Sequence, residues 1–397
     1  MKRALLILML LLCCLSLAGC GGGQEIESCL FVLAIAVDPA PDGNLTVTIK
    51  ALSGTQEAVG GTVSSSQSAQ QGEASAGAQQ QGSTETPEPG YIVMSATAPS
   101  CLRALNMLSA TTPRTVNLSQ LREIVISRTL AETDATLTIL KEIHGMYRAN
   151  GEAIVVVTPD DAGDFIRRQR AILGVRLSKY LEVLFDHFAG MDTIPPDAQL
   201  ASVIAAMESD TIDATAVYAA ANAFDSPLAL NTGADMDRLP GHLPRTSPAE
   251  NEYLGCALFC GPRMTGTLTG EETGLLCLMM GEARRRETFI GNALYRTNLP
   301  TRVRRSIDED GTLAVAISMN LTHVTGEEQE TAQSIAAMIE RRAVDVLMIL
   351  RAAGCDAAGF GRIAIRRHID IPSWEESRWP EEYAKQGVRV SADVKVL

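Results

Sequence analysis

The chain has 397 residues and a net charge of −13, and loss of Lys2 and Arg3 with an export signal takes the charge to −15, from 32 basic and 47 acidic residues. So acidic a surface repels nucleic acid and anionic headgroups, which excludes a nucleic-acid partner and leaves charge unable to hold the protein on a membrane. A mature chain of roughly 375 residues exceeds what one hydrophobic core usually serves, so two or three domains are expected.

The first twenty residues carry the features of an export signal. A basic head is followed by an apolar run over 4–18, which is shorter than the ~20 residues of a membrane-spanning helix. Cys20 comes directly after Leu17-Ala18-Gly19, the pattern of a bacterial lipoprotein signal, and a thiolate is the nucleophile suited to thioether formation. We predict a lipoprotein signal peptide over 1–20 and a lipid on Cys20, where two acyl chains such as palmitate would give stable anchoring. A plain export signal with an incidental cysteine is the alternative.

Residues 21–196 are expected to form an N-terminal α+β domain. Residues 30–37 are an almost continuous apolar run and residues 45–49 alternate, which predicts two strands joined by a turn. The segment 53–90 is rich in Gly, Ser, Gln and Ala, and its few large aliphatic side chains cannot offset the entropy lost on ordering it. We therefore predict a disordered insertion over 53–90.

Helices and strands alternate in the rest of this domain. Ser100 is placed to cap a helix. Strands over 123–126 and 153–157, with a helix over 134–148 between them, make a βαβ unit whose crossover should be right-handed. Thr158, followed by a proline and two acids, is predicted to cap the next helix.

Residues 197–252 are expected to form a small middle region, helical before a flexible linker at 225–249, and residues 253–397 a C-terminal α+β domain. The C-terminal domain should begin with a hairpin and a short helix around 271–279. Its later elements are predicted as a strand at 313–321, a helix that Thr325 opens as a capping box and Gly354 ends, and strands at 363–371 and 388–396. The predicted fold class is α+β, multi-domain, with mixed β-sheets that each carry helices mainly on one face.

No pattern in the sequence indicates a catalytic, cofactor or metal site. The segment 359–364 has the letters of a dinucleotide fingerprint, but it follows a predicted helix and opens a predicted strand, the reverse of the required order. The five histidines have no pair at ligand spacing. The cysteines beyond Cys20 have no zinc spacing, so we expect these cysteines to be mostly buried thiols. The arginine groups 284–286 and 302–305 indicate either a solvated face or a docking patch for an acidic partner loop.

Several short motifs, in this order, resemble the Ger(x)C family of spore-germination lipoproteins. The motifs are the lipobox at Cys20, then Gln24-Glu25-Ile26-Glu27, 30–38, 118–131, 255–259, 266–273, Asp356-Ala357-Ala358-Gly359-Phe360-Gly361 and the Trp374 segment. The resemblance implies a non-enzymatic C subunit of a germinant receptor on the outer face of the spore inner membrane. It also implies an integral-membrane A subunit and a transporter-like B subunit as partners. Whether a small-molecule germinant also binds this subunit is left open.

The leading hypothesis is therefore a membrane-anchored, non-catalytic receptor subunit that supports nutrient sensing and receptor assembly. One alternative is an extracytoplasmic solute-binding lipoprotein, although such proteins have two similar lobes about a cleft and these halves share no visible repeat. A surface hydrolase whose site is assembled from distant residues is the other alternative.

Overall fold

A computed structural model describes residues 28–53, 90–146, 149–173, 176–222, 237–245, 247, 249–282, 287–290, 293–326 and 330–397. The predicted signal peptide with Cys20, and positions 54–89 of the predicted insertion, lie outside the described residues, so both stay predictions.

The first part of the chain alternates strands with short helices. Its elements are β1 (Cys29–Pro39), β2 (Leu45–Leu52), β3 (Tyr91–Ala98), α1 (Cys101–Ser109), β4 (Thr115–Asn117), β5 (Glu123–Ser127), α2 (Arg128–Ala131), α3 (Ala135–His144), β6 (Ile154–Thr158), α4 (Ala162–Arg168), α5 (Leu177–Gly190), α6 (Leu200–Met207), β7 (Thr215–Ala221), β8 (Asn251–Cys260) and β9 (Arg263–Leu268). The predicted strands before and after the turn, the cap at Ser100 and the βαβ unit are confirmed, because β5 and β6 pair in parallel.

These strands form a nine-stranded mixed sheet in the order β3-β2-β1-β5-β6-β7-β8-β9, with β4 paired to the start of β1. The four central strands β1, β5, β6 and β7 run parallel, and antiparallel strands flank them. Parallel strands covered on both faces are apolar along their whole length, which is the pattern that 30–37 shows. The continuous apolar run thus marks the middle of the sheet.

The central strands of this larger sheet are buried on both faces. Ile35 and Val37 of β1 pack with residues of α1, α3 and α6, while Ala34 and Ala36 pack with residues of α4 and α5 on the other face. The prediction that helices lie mainly on one face of each sheet therefore does not hold for this larger sheet, although it fits the smaller, four-stranded sheet described below. The larger sheet has a second layer because successive residues of its central strands are apolar and point to opposite faces.

The second part of the chain forms a four-stranded sheet in the order β10-β11-β12-β13. Its elements are α7 (Gly270–Met280), β10 (Glu287–Ile290), β11 (Ala293–Ile307), β12 (Leu313–Thr325), α8 (Ala332–Ala352), α9 (Gly361–Ala364), α10 (Ile371–Ser377), α11 (Trp379–Tyr383) and β13 (Val388–Val396). Alternate residues of β12 enter a core shared with α7 and α8, as their spacing predicted. The α+β, multi-domain fold class is confirmed.

The predicted hairpin, β8 and β9, lies where the two cores meet. β8 pairs with β7 and so extends the larger sheet. Ala257 and Phe259 face the core of that sheet, whereas Cys256 and Leu258 face the core of the smaller one. The domain boundaries at 196 and 253 stay predictions. The second boundary falls within strand β8, whose residues pack into both cores.

Two predicted helix caps are wrong. Thr158 ends β6, and α4 begins four residues later, after the cap Asp161, whose carboxylate accepts a hydrogen bond from the backbone N–H of Asp164 at 2.7 Å. Thr325 ends β12, and Thr331 caps α8 by accepting from the backbone N–H of Ser334 at 3.1 Å. Each strand continues through the residue that resembled a cap, because pairing with its neighbour satisfies the backbone there.

Two other local predictions differ from the structure. The strand expected at 363–371 is instead α9 followed by a 3-10 turn, because the Asp356 carboxylate accepts from the backbone N–H groups of Phe360 and Gly361 and so starts a helix. The middle region contributes β7, whose alanine-rich sequence favours a helix by propensity. Burial between β6 and β8 overrides that propensity.

Candidate functional site

The one predicted site residue, Cys20, lies outside the described residues, so its lipidation stays a prediction. Over the described ranges, no helix combines the length and the apolar character needed to cross a bilayer. The six remaining cysteines are free thiols, all buried except the half-buried Cys260, which confirms the expectation of mostly buried thiols. The structure adds a cavity that sequence reasoning did not identify.

This cavity lies between α5 and the start of β8 and has a volume of about 300 Å³. Apolar side chains of α5 and its C-terminal end form one wall, and residues 243, 245, 247 and 249–254 form the other. The lining residues used below are Gln169, Leu184, Phe188, Met191, Asn251 and Tyr253.

Beside the cavity lies a buried polar cluster of Glu123, Gln169, Tyr253 and Lys50. The Gln169 Nε2 donates to Glu123 Oε1 and to Tyr253 Oη, both at 2.6 Å, and Tyr253 Oη donates to Glu123 Oε2 at 3.2 Å. The Lys50 ammonium donates to the backbone carbonyls of Ile166, at 3.3 Å, and of Gln169. Four polar side chains from distant parts of the chain therefore meet in the interior.

Burial raises the pKa of Glu123 to about 7, against the opposing effects of the hydrogen bonds from Gln169 and Tyr253 and of the Lys50 charge. Burial also raises the pKa of Tyr253 well above its ordinary value, and the nearby Glu123 carboxylate raises it further. The carboxyl of Glu123 therefore titrates near neutral pH, while Tyr253 keeps its proton. A carboxyl with this behaviour next to a cavity is a feature of functional sites, although structural clusters share it.

Each member of the cluster is positioned by the end or face of an element. Glu123 is the first residue of β5, Gln169 is the C-cap of α4, and Lys50 lies on β2. Tyr253 of β8 is held by edge contacts with Phe165 and Phe185, whose ring centroids lie 5.7 and 5.3 Å away. The aromatic contacts keep its hydroxyl against Glu123.

The cavity wall that contains Leu243 and Arg245 is held in place by the buried carboxylate of Glu252. It accepts from the backbone N–H of Gly241 at 2.6 Å and from the Arg245 Nε at 2.7 Å. Because the Glu252 side chain is only 1% exposed, this ion pair is little screened by solvent. The wall is thus fastened to β8 and does not depend on packing alone.

A second buried acid, Asp356, lies where the two cores meet. Its carboxylate accepts from Phe360 N at 2.9 Å, Gly361 N at 2.6 Å and Trp379 Nε1 at 3.0 Å. Burial raises its pKa to about 7 against these hydrogen bonds. The backbone donors of the glycine motif at 359–364 are therefore occupied by Asp356, which leaves no place for a phosphate at this helix start.

The other residues singled out in the sequence do not form a site. Within the described part of the chain, no group of three His, Cys, Asp or Glu side chains is close enough to hold a metal ion. Arg302 and Arg304 are exposed on β11, whereas Arg305 donates to the backbone carbonyl of Ala358. Arg284–Arg286 lie outside the described residues. The solvated-face interpretation fits Arg302 and Arg304, and Arg305 has a structural role.

Sequence reasoning missed the cavity and the polar cluster. The available signal was a lysine, Lys50, at a polar position of an alternating strand, and a glutamate, Glu123, at the start of a buried strand. Each residue alone is typical of a strand end. Only the tertiary structure shows that they meet.

The comparisons with known proteins agree with this two-part architecture. Residues 22–221 match the family model described as "Spore germination protein N-terminal domain", and residues 254–397 match "Spore germination B3/ GerAC like, C-terminal". A solved structure, "Crystal Structure of the GerBC protein", is similar at 12% identity and a TM-score of 0.43, over 91% of this chain and 96% of that chain. No curated protein sequence matches this chain.

The two matches define a two-domain spore germination protein. The chain belongs to the GerAC family of spore germination proteins, which confirms the resemblance that its motifs showed.

Proposed function

We propose that the chain is the lipid-anchored, non-catalytic C subunit of a spore germinant receptor. It assembles with the A and B membrane subunits on the outer face of the spore inner membrane and supports nutrient sensing. The observation that carries this proposal is the pair of family matches, which run through the chain in the order N-terminal domain, C-terminal domain.

The order of residues at the start of the chain supports the lipid anchor. The segment between Cys20 and β1, which begins at Cys29, includes Gly21, Gly22 and Gly23. An extended chain reaches about 3.5 Å per residue, so acyl chains on Cys20 would hold the start of β1 within roughly 30 Å of the lipid surface. That distance suits a protein that works beside membrane subunits.

The non-catalytic role is supported by the surroundings of the two acids with the most raised pKa values. Glu123 and Asp356 are both in the interior, and each accepts hydrogen bonds from protein donors. The hydrogen bonds that these carboxyls accept come from the protein itself. The solute-binding alternative is less well supported, because the two sheets have nine and four strands and do not form similar lobes.

The anchor is tested by growing the producing cells with an alkyne-bearing fatty acid and coupling a fluorophore to the purified protein. We expect label on the wild type, no label on Cys20→Ala, and full label on Cys14→Ala, which changes a cysteine of the signal but leaves the lipobox intact. Label on Cys20→Ala equal to that of the wild type would refute lipidation at Cys20.

Receptor assembly is tested by solubilising inner membranes of spores in mild detergent and purifying the tagged chain. We expect the A and B subunits to co-purify with it and nutrient germination to fail when its gene is deleted. Purification without either subunit, together with normal germination on every nutrient tested, would refute the proposal.

A further inference from the structure

The cavity beside Glu123 has the size of a small-molecule site. Its volume is about 300 Å³, and an apolar cavity of ~150 Å³ is known to hold benzene, so there is room for roughly a dozen non-hydrogen atoms. Leu184, Phe188 and Met191 give it an apolar wall. Small-molecule sites combine such walls with a few polar groups that orient the ligand.

Two residues that line the cavity carry buried amide oxygens without a hydrogen-bond partner. These atoms are Gln169 Oε1 and Asn251 Oδ1. Gln169 is only 4% exposed, and buried acceptors are normally paired. The amide nitrogen of each residue is already used, by Glu123 and Tyr253 for Gln169 and by the Phe165 carbonyl at 3.0 Å for Asn251.

These hydrogen bonds fix which atom of each amide is left over. If the Gln169 amide were turned over, its oxygen would face the Glu123 carboxyl. The two hydrogen bonds that the amide nitrogen donates would then be lost. A turned Asn251 would place its oxygen against the Phe165 carbonyl oxygen. Both amides therefore keep their oxygens for a donor, and both residues line the cavity.

We propose that this cavity binds a small organic molecule with an apolar body and a hydrogen-bond-donating head, an amine or a hydroxyl. The body packs against Leu184, Phe188 and Met191, and the head donates to the amide oxygens of Gln169 and Asn251. A sensing role for such a ligand rests on the proposed function, but its binding does not.

The test uses the full, lipidated chain in lipid nanodiscs and saturation-transfer NMR with defined probes. Benzyl alcohol and benzylamine carry a donor. Anisole has the same atoms as benzyl alcohol but no donor, and benzoate has an anionic head. We expect saturation of benzyl alcohol and benzylamine, and at least fivefold less saturation of anisole and benzoate at equal concentration.

Two variants on one helix separate binding in the cavity from partition into lipid. Leu184→Trp fills the cavity, whereas Val183→Trp adds the same side chain at the neighbouring residue, which is 52% exposed and outside the lining. We expect Leu184→Trp to reduce the benzyl alcohol signal at least fivefold and Val183→Trp to leave it unchanged. Met191→Trp is the second filling variant, should Leu184→Trp melt below the wild type.

Three results would overturn the inference. They are equal saturation of benzyl alcohol and anisole, a benzyl alcohol signal that neither filling variant reduces, and no signal above empty nanodiscs for both donor probes. The readout needs neither the A nor the B subunit, so a failure here and a failure of receptor assembly are separate outcomes.

Discussion

Replacing Glu123 with glutamine should remove part of the pH dependence of folding stability. Glu123 has a pKa raised from its ordinary value of 4.5 to about 7 by burial. Because the folded protein holds this proton more tightly than the unfolded chain does, the contribution is fully present below about pH 4.5. It is lost as the pH rises through 7. Between pH 5 and pH 8 the wild type should lose roughly 2–3 kcal/mol that the Glu123→Gln variant keeps.

The glutamine preserves the shape of the side chain, and its oxygen can still accept from the Gln169 Nε2. The assay is urea unfolding at pH 5 and pH 8, followed by circular dichroism, with Glu375→Gln as the control on an exposed acid. Asp356 has a raised pKa too, but it is present in every variant and cancels in the difference. If Glu123→Gln and wild type lose the same stability between the two pH values, the buried carboxyl does not titrate as argued.

Three further changes test the interior, a cap and a glycine within strand β8. Lys50→Met leaves two buried carbonyls without their donor and should lower the free energy of unfolding by about 2–4 kcal/mol in urea titrations, and an unchanged midpoint would contradict this. Thr331→Ala removes the cap of α8 and should cost about 1 kcal/mol, while Thr325→Ala, at the end of β12, should stay within about 0.5 kcal/mol; equal effects would contradict the assignment of the cap to Thr331. Gly255→Ala places a Cβ 2.3 Å from the Leu268 carbonyl oxygen at a φ of +98° and should lower the melting temperature far more than Gly261→Ala, which meets nothing within 4 Å; similar melting temperatures would refute the clash.

The sequence predicted most elements whose pattern is local. The strands β1, β2, β5, β6, β12 and β13 and the helices α1, α3, α7 and α8 were all expected from periodicity or from a continuous apolar run. It failed for β7, where tertiary burial overrides alanine's preference for helices, and at 363–371, where the Asp356 carboxylate, five residues before Gly361, decides that a helix starts. In both cases the deciding contact lies outside the segment itself.

The candidate cavity could not have been predicted in the same way. Lys50, Glu123, Gln169 and Tyr253 come from four elements separated by up to 203 positions in the chain, and none belongs to a recognisable motif. Their hydrogen bonds depend on the order of strands in the larger sheet, and that order is set by long-range pairing. The alternation of single strands carries no information on which strands become neighbours.

By itself the sequence determined the α+β composition and the family to which the chain belongs, and it predicts the export and lipidation signal, because each of these is written in contiguous residues or in the order of short motifs. Only the tertiary structure decided that strand β8 contributes to both cores and that a carboxyl, an amide, a phenol and an ammonium group meet beside a cavity. The physical reason is that burial and hydrogen bonding act between residues close in space, whatever their separation along the chain.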